Sequence, residues 1–161
     1  MHDADFRVRD FFFNILSVKP LDSQVIRALL LAILMLGLIG NGVELLLLGH
    51  DETFTQLVPL VLIAVGLVAI VWHAAAGSSL SLLFMRITMG VFIGAGALGI
   101  ALHYRGSVEF QKEVDPSLRG FALFAKAIRS KAPPALAPGI MAEMGLLGLV
   151  CTLKFIDRRE A

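Results

Sequence analysis

The sequence predicts an all-α fold: an integral membrane four-helix bundle with two amphipathic helices lying on the membrane surface. Three observations predict it. The 161 residues are 57% hydrophobic and only 17% charged, whereas a soluble domain carries about 25% charged residues. The charges collect in the N-terminal segment, around residues 104–131 and at the C-terminus, which leaves long apolar runs between them. Those runs are continuous rather than alternating, so they suit hydrogen-bonded helices and exclude a transmembrane barrel.

A bilayer core about 30 Å thick takes about 20 apolar residues in a helix, and four runs match that requirement. The first covers about residues 25–48. Arg27 stands at its start, Asp22 or Ser23 can cap it, and Asn41 and Glu44 interrupt it late. The second covers 57–75, with Pro59 in its first turn, where a missing N–H costs little. Trp72 and His73 lie near its far end, where interfacial residues gather. The third covers 80–102; Arg86 lies early in it, and His103 and Tyr104 follow its end. The fourth covers 135–153, follows Pro133 and Pro134, has Pro138 in its opening turn and contains Glu143. The chain thus divides into an interfacial segment at 1–24, a transmembrane domain at 25–154 with an extramembrane loop at 104–132, and a tail at 155–161.

Two surface helices complete the prediction. In the N-terminal segment Val8, Phe11, Phe12, Ile15 and Leu16 recur with helical spacing, Arg7, Arg9, Asp10 and Asn14 take other faces, and Pro20 stops the run. In the long loop, Asp115–Pro116 is expected to open a helix over 116–131. There Leu118, Phe121, Phe124, Ala125 and Ile128 form a stripe opposed by Arg119, Lys126, Arg129 and Lys131. A soluble flap packed on its own protein would show the same pattern.

Small residues mark close helix approach in lipid. Gly90 with Gly94, and Ala95 with Gly99, have that spacing on the third run, and Gly145 and Gly148 thin the fourth. Packing within the chain and homodimerisation both use such pairs. Gly94, Gly96 and Gly99 spell G-x-G-x-x-G, but no strand precedes them, so they read as packing and not as a dinucleotide site.

A cleaved signal peptide is not expected. Acids and bases mix over Met1–Asp10 and the apolar stretch Phe11–Leu16 is short, so the first run reads as an uncleaved signal-anchor. The single cysteine, Cys151, permits no intrachain disulfide and reads as a packing residue. A net charge of +1 gives no reason to expect a nucleic-acid partner. The partners expected are the lipid bilayer itself and other membrane proteins or a second copy.

With four spans both termini share a side. That side holds Arg7, Arg9, Lys19, Arg27, Arg86, Lys154, Arg158 and Arg159, against Arg105, Lys112, Arg119, Lys126, Arg129 and Lys131 on the other. The excess favours cytoplasmic termini. The basic loop helix would itself suit an anionic cytoplasmic leaflet, which argues the other way.

The ends of the first and third runs converge with the start of the fourth. That gathers Glu44, His50, Asp51, Glu52, His103, Tyr104, Glu109 and Glu143 at or below one face. At 1.5 Å per residue Glu143 lies roughly 12 Å below that face, Glu44 roughly 6 Å, and Arg86 roughly 9 Å in from the other. Ionisable groups in a span are costly, and two neighbouring carboxylates hold a proton or cation between them. Glu44, Glu143, Tyr104 and Arg86 are therefore candidate binding residues. His50, His103 and Glu109 are candidate ligands of a divalent metal, since imidazole and carboxylate suit zinc, iron or copper. Simpler roles compete. Neither Glu44 and His50 nor His103 and Glu109, each six apart, share a helix face. Glu44 and Arg86 can snorkel, the histidines and Tyr104 can be interfacial anchors, and Glu143 can bond Asn41, Tyr104 or a backbone group. Arg86 can instead reach toward Glu143. No G-x-S-x-G, Walker A, H-E-x-x-H or C-x-x-C motif occurs, so an enzyme is not expected.

The segments GNGVELLLLGHDE at 40–52, QLVPLVLI at 56–63, LHYRGSVEFQKEVDPSLRG at 102–120 and ALAPGIM at 135–141 resemble those of uncharacterised four-span membrane proteins of bacteria. The resemblance covers about residues 25–153, implies a bacterial inner membrane and implies no mechanism. Small multidrug exporters also have four spans and a membrane glutamate. Theirs lies mid-span in the first helix, whereas Glu44 lies near the end, so that function is not carried over.

Three functions follow as expectations. The first is a non-enzymatic membrane protein, freestanding or an accessory subunit, working by contact. The second is a cation- or proton-linked binding or transport protein using Glu44 and Glu143. The third is a metal- or haem-binding redox subunit using His50 and His103.

Overall fold

The structure is a computed structural model that describes residues 22–130 and 136–153. Every regular element among them is a helix: α1 (Ser23–Leu47), α2 (Phe54–Ala76), α3 (Ser79–Val114), α4 (Gly120–Ile128) and α5 (Gly139–Cys151). The first three are long and apolar enough to cross a membrane. The expected fourth run forms α5, whose 13 residues rise only about 20 Å. The amphipathic pattern at residues 8–16 lies outside the described residues, as does the tail.

Local chemistry sets the helix ends. The Asp22 carboxylate accepts from the Gln24 N–H at 3.0 Å and caps α1. At the other end Gly49, at φ 64°, adopts the left-handed conformation. Its N–H reaches the Leu46 carbonyl at 3.1 Å and the His50 N–H reaches that of Leu45 at 2.9 Å. This paired closure is the Schellman motif, which satisfies the last carbonyls of the helix. The Gln56 side chain accepts from the Thr53 N–H at 2.9 Å and opens α2. Ser78 caps α3 by accepting from the Ser81 N–H at 3.1 Å.

α3 overruns the expected end at Leu102 and continues to Val114. Hydropathy ends a span where charges begin, but a helix outside lipid continues while its residues favour it. Here Glu, Gln, Lys and Arg are good helix formers, and Arg105 pairs with Glu109 one turn on at 2.9 Å. The stop comes at Asp115, which precedes Pro116 and is held in extended conformation. The amphipathic helix starts at Gly120 rather than at residue 116. The intervening residues form a turn in which Asp115 accepts from the Ser117 N–H at 3.0 Å and from its hydroxyl at 2.6 Å. Side chains of this kind draw the backbone away from helix.

The helices meet as a closed set of neighbours: α1 on α2, α2 on α3, α3 on α5 and α5 back on α1, with α4 against α3. Leu34, Leu38, Ile70, Met85, Met89 and Phe92 are the main buried side chains. α3 and α5 run antiparallel with their backbones nearly touching. A methyl group built on Gly96 would stand 2.6 Å from the Ala142 nitrogen, and one on Gly145 would stand 2.6 Å from the Met89 carbonyl oxygen. A methyl on Gly99 would stand 2.6 Å from Pro138 Cβ. Gly90 and Gly94 have nothing within 4 Å of that position. Of the small residues predicted to permit close approach, Gly99, Gly145 and Gly148 therefore do so within the chain, joined by Gly96, while Gly90 and Gly94 face outward.

The predicted stripe on the loop helix divides in the same way. Ala127 is buried and Leu123, Ala125 and Ile128 are half-buried, whereas Phe121 is 81% and Phe124 46% exposed.

Candidate functional site

Residues singled out in the sequence fall at three levels of the helix assembly. At the end where α1 closes and α2 begins, the Schellman turn fixes His50, and α3 presents His103. Their ring centroids lie 6.4 Å apart with the planes inclined by 42°. Tyr104, the next residue on α3, sets its ring 6.0 Å from that of Phe124 on α4, the planes inclined by 53°. Glu109 accepts from Arg105 on an exposed face. The structure thus brings the two histidines together and engages Glu109 elsewhere. Among the described residues no group of three or more His, Cys, Asp and Glu side chains could hold a metal ion.

Deeper in the assembly, α5 buries Met141, Gly145, Gly148 and Cys151 and exposes Ile140, Glu143, Leu146 and Val150. Ala142 stands against Gly96, which places Glu143 about 10 Å along α3 from the level of His103. The Glu143 side chain is exposed on the outward face. Asn41, one predicted partner, directs its amide to the Met141 sulfur at 3.6 Å instead. Among the described residues Glu143 makes no side-chain hydrogen bond or ion pair. Glu44 is exposed as well, one turn above Asn41 on α1.

Arg86 does chemistry that the sequence did not disclose. Its Nε donates to the Thr152 hydroxyl at 3.2 Å and its Nη2 to the Thr152 carbonyl at 3.1 Å. Arg27 of α1 donates to the Leu153 carbonyl at 2.9 Å. Two guanidinium groups from two helices therefore bond the carbonyls of Thr152 and Leu153, just past the last residue of α5, where the helix dipole is negative. Thr152 lies nine residues from Glu143, or about 13 Å along the helix, so Arg86 is anchored away from that carboxylate. Arg27 and Arg86 appear in the sequence as isolated charges at span ends. Only the placement of α5 between α1 and α3 gives them a common target.

A third cluster sits at the turn between α2 and α3. His73 Nδ1 lies 3.3 Å from the hydroxyl of buried Ser81. That hydroxyl donates to the Ser78 carbonyl at 2.9 Å. A serine beside a histidine suggests a nucleophile and base, but here the hydroxyl donates to the Ser78 carbonyl and, among the described residues, no carboxylate bonds the ring. The cluster is a structural turn.

Fold and site define an all-helical protein with three helices long and apolar enough to cross a membrane. No protein-family model matches the chain, and neither a curated protein nor a solved structure proved similar to it.

Proposed function

We propose that the chain is a multi-pass bacterial inner-membrane protein with cytoplasmic termini that acts by contact, as a non-enzymatic subunit whose outward α5 face seats a membrane partner. In this reading α5 is the fourth membrane segment and the exposed phenylalanines of α4 rest in the lipid headgroup region. The observation that carries it is Glu143. A carboxylate on an outward helix face, surrounded by Ile140, Leu146 and Val150, is expensive in lipid, on the order of 2.5–3.5 kcal/mol at the centre of a span. A neighbouring helix that offers a hydrogen-bond donor removes most of that cost and defines the register of contact. The partner is therefore a transmembrane helix carrying an amide, hydroxyl or basic side chain among apolar residues. The transport reading needs Glu44 and Glu143 turned toward a shared interior, and their exposed positions lend it little support.

Photo-crosslinking in native membranes tests the proposal. A crosslinking amino acid at Leu146 should give one discrete protein adduct, while one at Leu36, 70% exposed on α1, should give only lipid adducts. Glu143→Leu should abolish the Leu146 adduct and Glu143→Gln should retain it. An adduct of twice the chain mass would identify the partner as a second copy. Lipid adducts alone at both positions would overturn the contact reading.

A further inference from the structure

We propose that His50 and His103 are the two protein ligands of a divalent transition-metal ion at the end of the helix assembly where α1 closes. The inference is independent of the contact at Glu143.

The geometry leads to it. A metal lies 2.0–2.1 Å from an imidazole nitrogen, so each ring centroid stands about 3.2 Å from the ion. Two rings on one ion are then separated by about 5.3 Å when the bonds are tetrahedral and about 6.4 Å when they are collinear. The observed separation is 6.4 Å. The rings are thus at the separation of trans ligands on a square-planar ion, the geometry copper(II) prefers, and a shift of about 1 Å within their rotamer wells would reach the tetrahedral arrangement.

The backbone holds both rings in place. His50 is the residue whose N–H completes the Schellman turn, so its backbone is fixed against the end of α1. His103 lies within α3, a continuous helix of 36 residues. Ligands on rigid elements lose little freedom on binding, which favours affinity. Both rings are half-buried, while the neighbouring Asp51 and Glu52 are exposed. Water therefore has access to the remaining coordination positions, and the adjacent acidic loop attracts a cation. Two imidazoles with open positions select late first-row ions, with copper(II) the tightest of the divalent series. The bound ion would tie the α1–α2 turn to α3 and leave coordination positions for an external ligand.

The test uses the full-length protein in detergent, stripped with chelator and titrated with copper(II). His2→Ala serves as the background, so that a fourth imidazole cannot contribute to binding. One ion per chain is expected, with a paramagnetic resonance spectrum showing two imidazole nitrogens. His50→Ala and His103→Ala should each weaken binding at least tenfold and leave at most one nitrogen in the spectrum, whereas His73→Ala should change neither. Protection of Cys151 from maleimide confirms that each variant remains folded. Unchanged binding in folded His50→Ala or His103→Ala, or no stoichiometric binding to the starting protein, would overturn the assignment. A Soret band in the purified protein would overturn it in favour of haem.

Discussion

The contact between α3 and α5 should be the most sensitive point of the fold to a single methyl group. At Gly96 an added Cβ meets the Ala142 nitrogen at 2.6 Å and its Cβ at 2.9 Å; at Gly145 it meets the Met89 carbonyl oxygen at 2.6 Å and Ile93 Cγ1 at 2.8 Å. These neighbours include main-chain atoms of regular helices, which cannot swing aside as a side-chain tip can. Overpacking of this kind costs about 1–3 kcal/mol, and contact with backbone places it near the upper value. Replacing glycine by alanine also favours the helix by at most about 1 kcal/mol. That gain shrinks in a membrane, where the unfolded reference retains its helices. The net loss for Gly96→Ala or Gly145→Ala is therefore about 2 kcal/mol, roughly a thirtyfold change in the folding equilibrium. Gly90→Ala and Gly94→Ala add the same methyl to the same helix in open space and should be neutral or slightly stabilising. Reversible unfolding in mixed detergent micelles, followed by circular dichroism and maleimide labelling of Cys151, measures all four. Equal destabilisation by Gly90→Ala and Gly96→Ala would refute the register of α5 on α3.

Other outcomes follow from the same geometry. Arg86→Ala removes two hydrogen bonds from a charged donor to the end of α5 and should destabilise by about 1.5–3 kcal/mol in the same unfolding assay. Arg86→Lys should recover only part of that, since a single ammonium cannot reproduce the fork. Glu109→Ala breaks an exposed pair and should shift stability by no more than about 0.5 kcal/mol. Cys151 is buried and should react with maleimide only after unfolding, with a rate that tracks denaturant. The Asp115 carboxyl is held below its ordinary value by the Ser117 hydroxyl, the Ser117 N–H and, more weakly, Lys126. A depressed carboxyl stabilises its turn above the unfolded value and loses that effect as pH falls through the lower folded value. Exchange of the Ser117 amide should accordingly accelerate, relative to its intrinsic rate, only in that acid range. Asp115→Asn should abolish the dependence.

The sequence by itself determined that the chain is helical and where most helices lie. That information is local: apolar runs need their backbone groups satisfied internally, and Asp22 caps the first of them as its position before the run announces. The hydropathy boundary failed at Leu102 because the helix outlasts the apolar run, and the helix start read from Asp115–Pro116 failed because Asp115 bonds Ser117 and the helix begins only at Gly120. Which side of each helix is covered was decided only by the tertiary structure. A helix that is apolar all round carries no periodic signal of its buried face, so nothing in α3 or α5 distinguishes Gly96 from Gly94 or announces that Glu143 points outward. The approach of His50 to His103, and the convergence of Arg27 and Arg86 on α5, depend on the register between helices far apart in the chain. That register is set by van der Waals contact between small residues, an interaction that exists only once the helices have met.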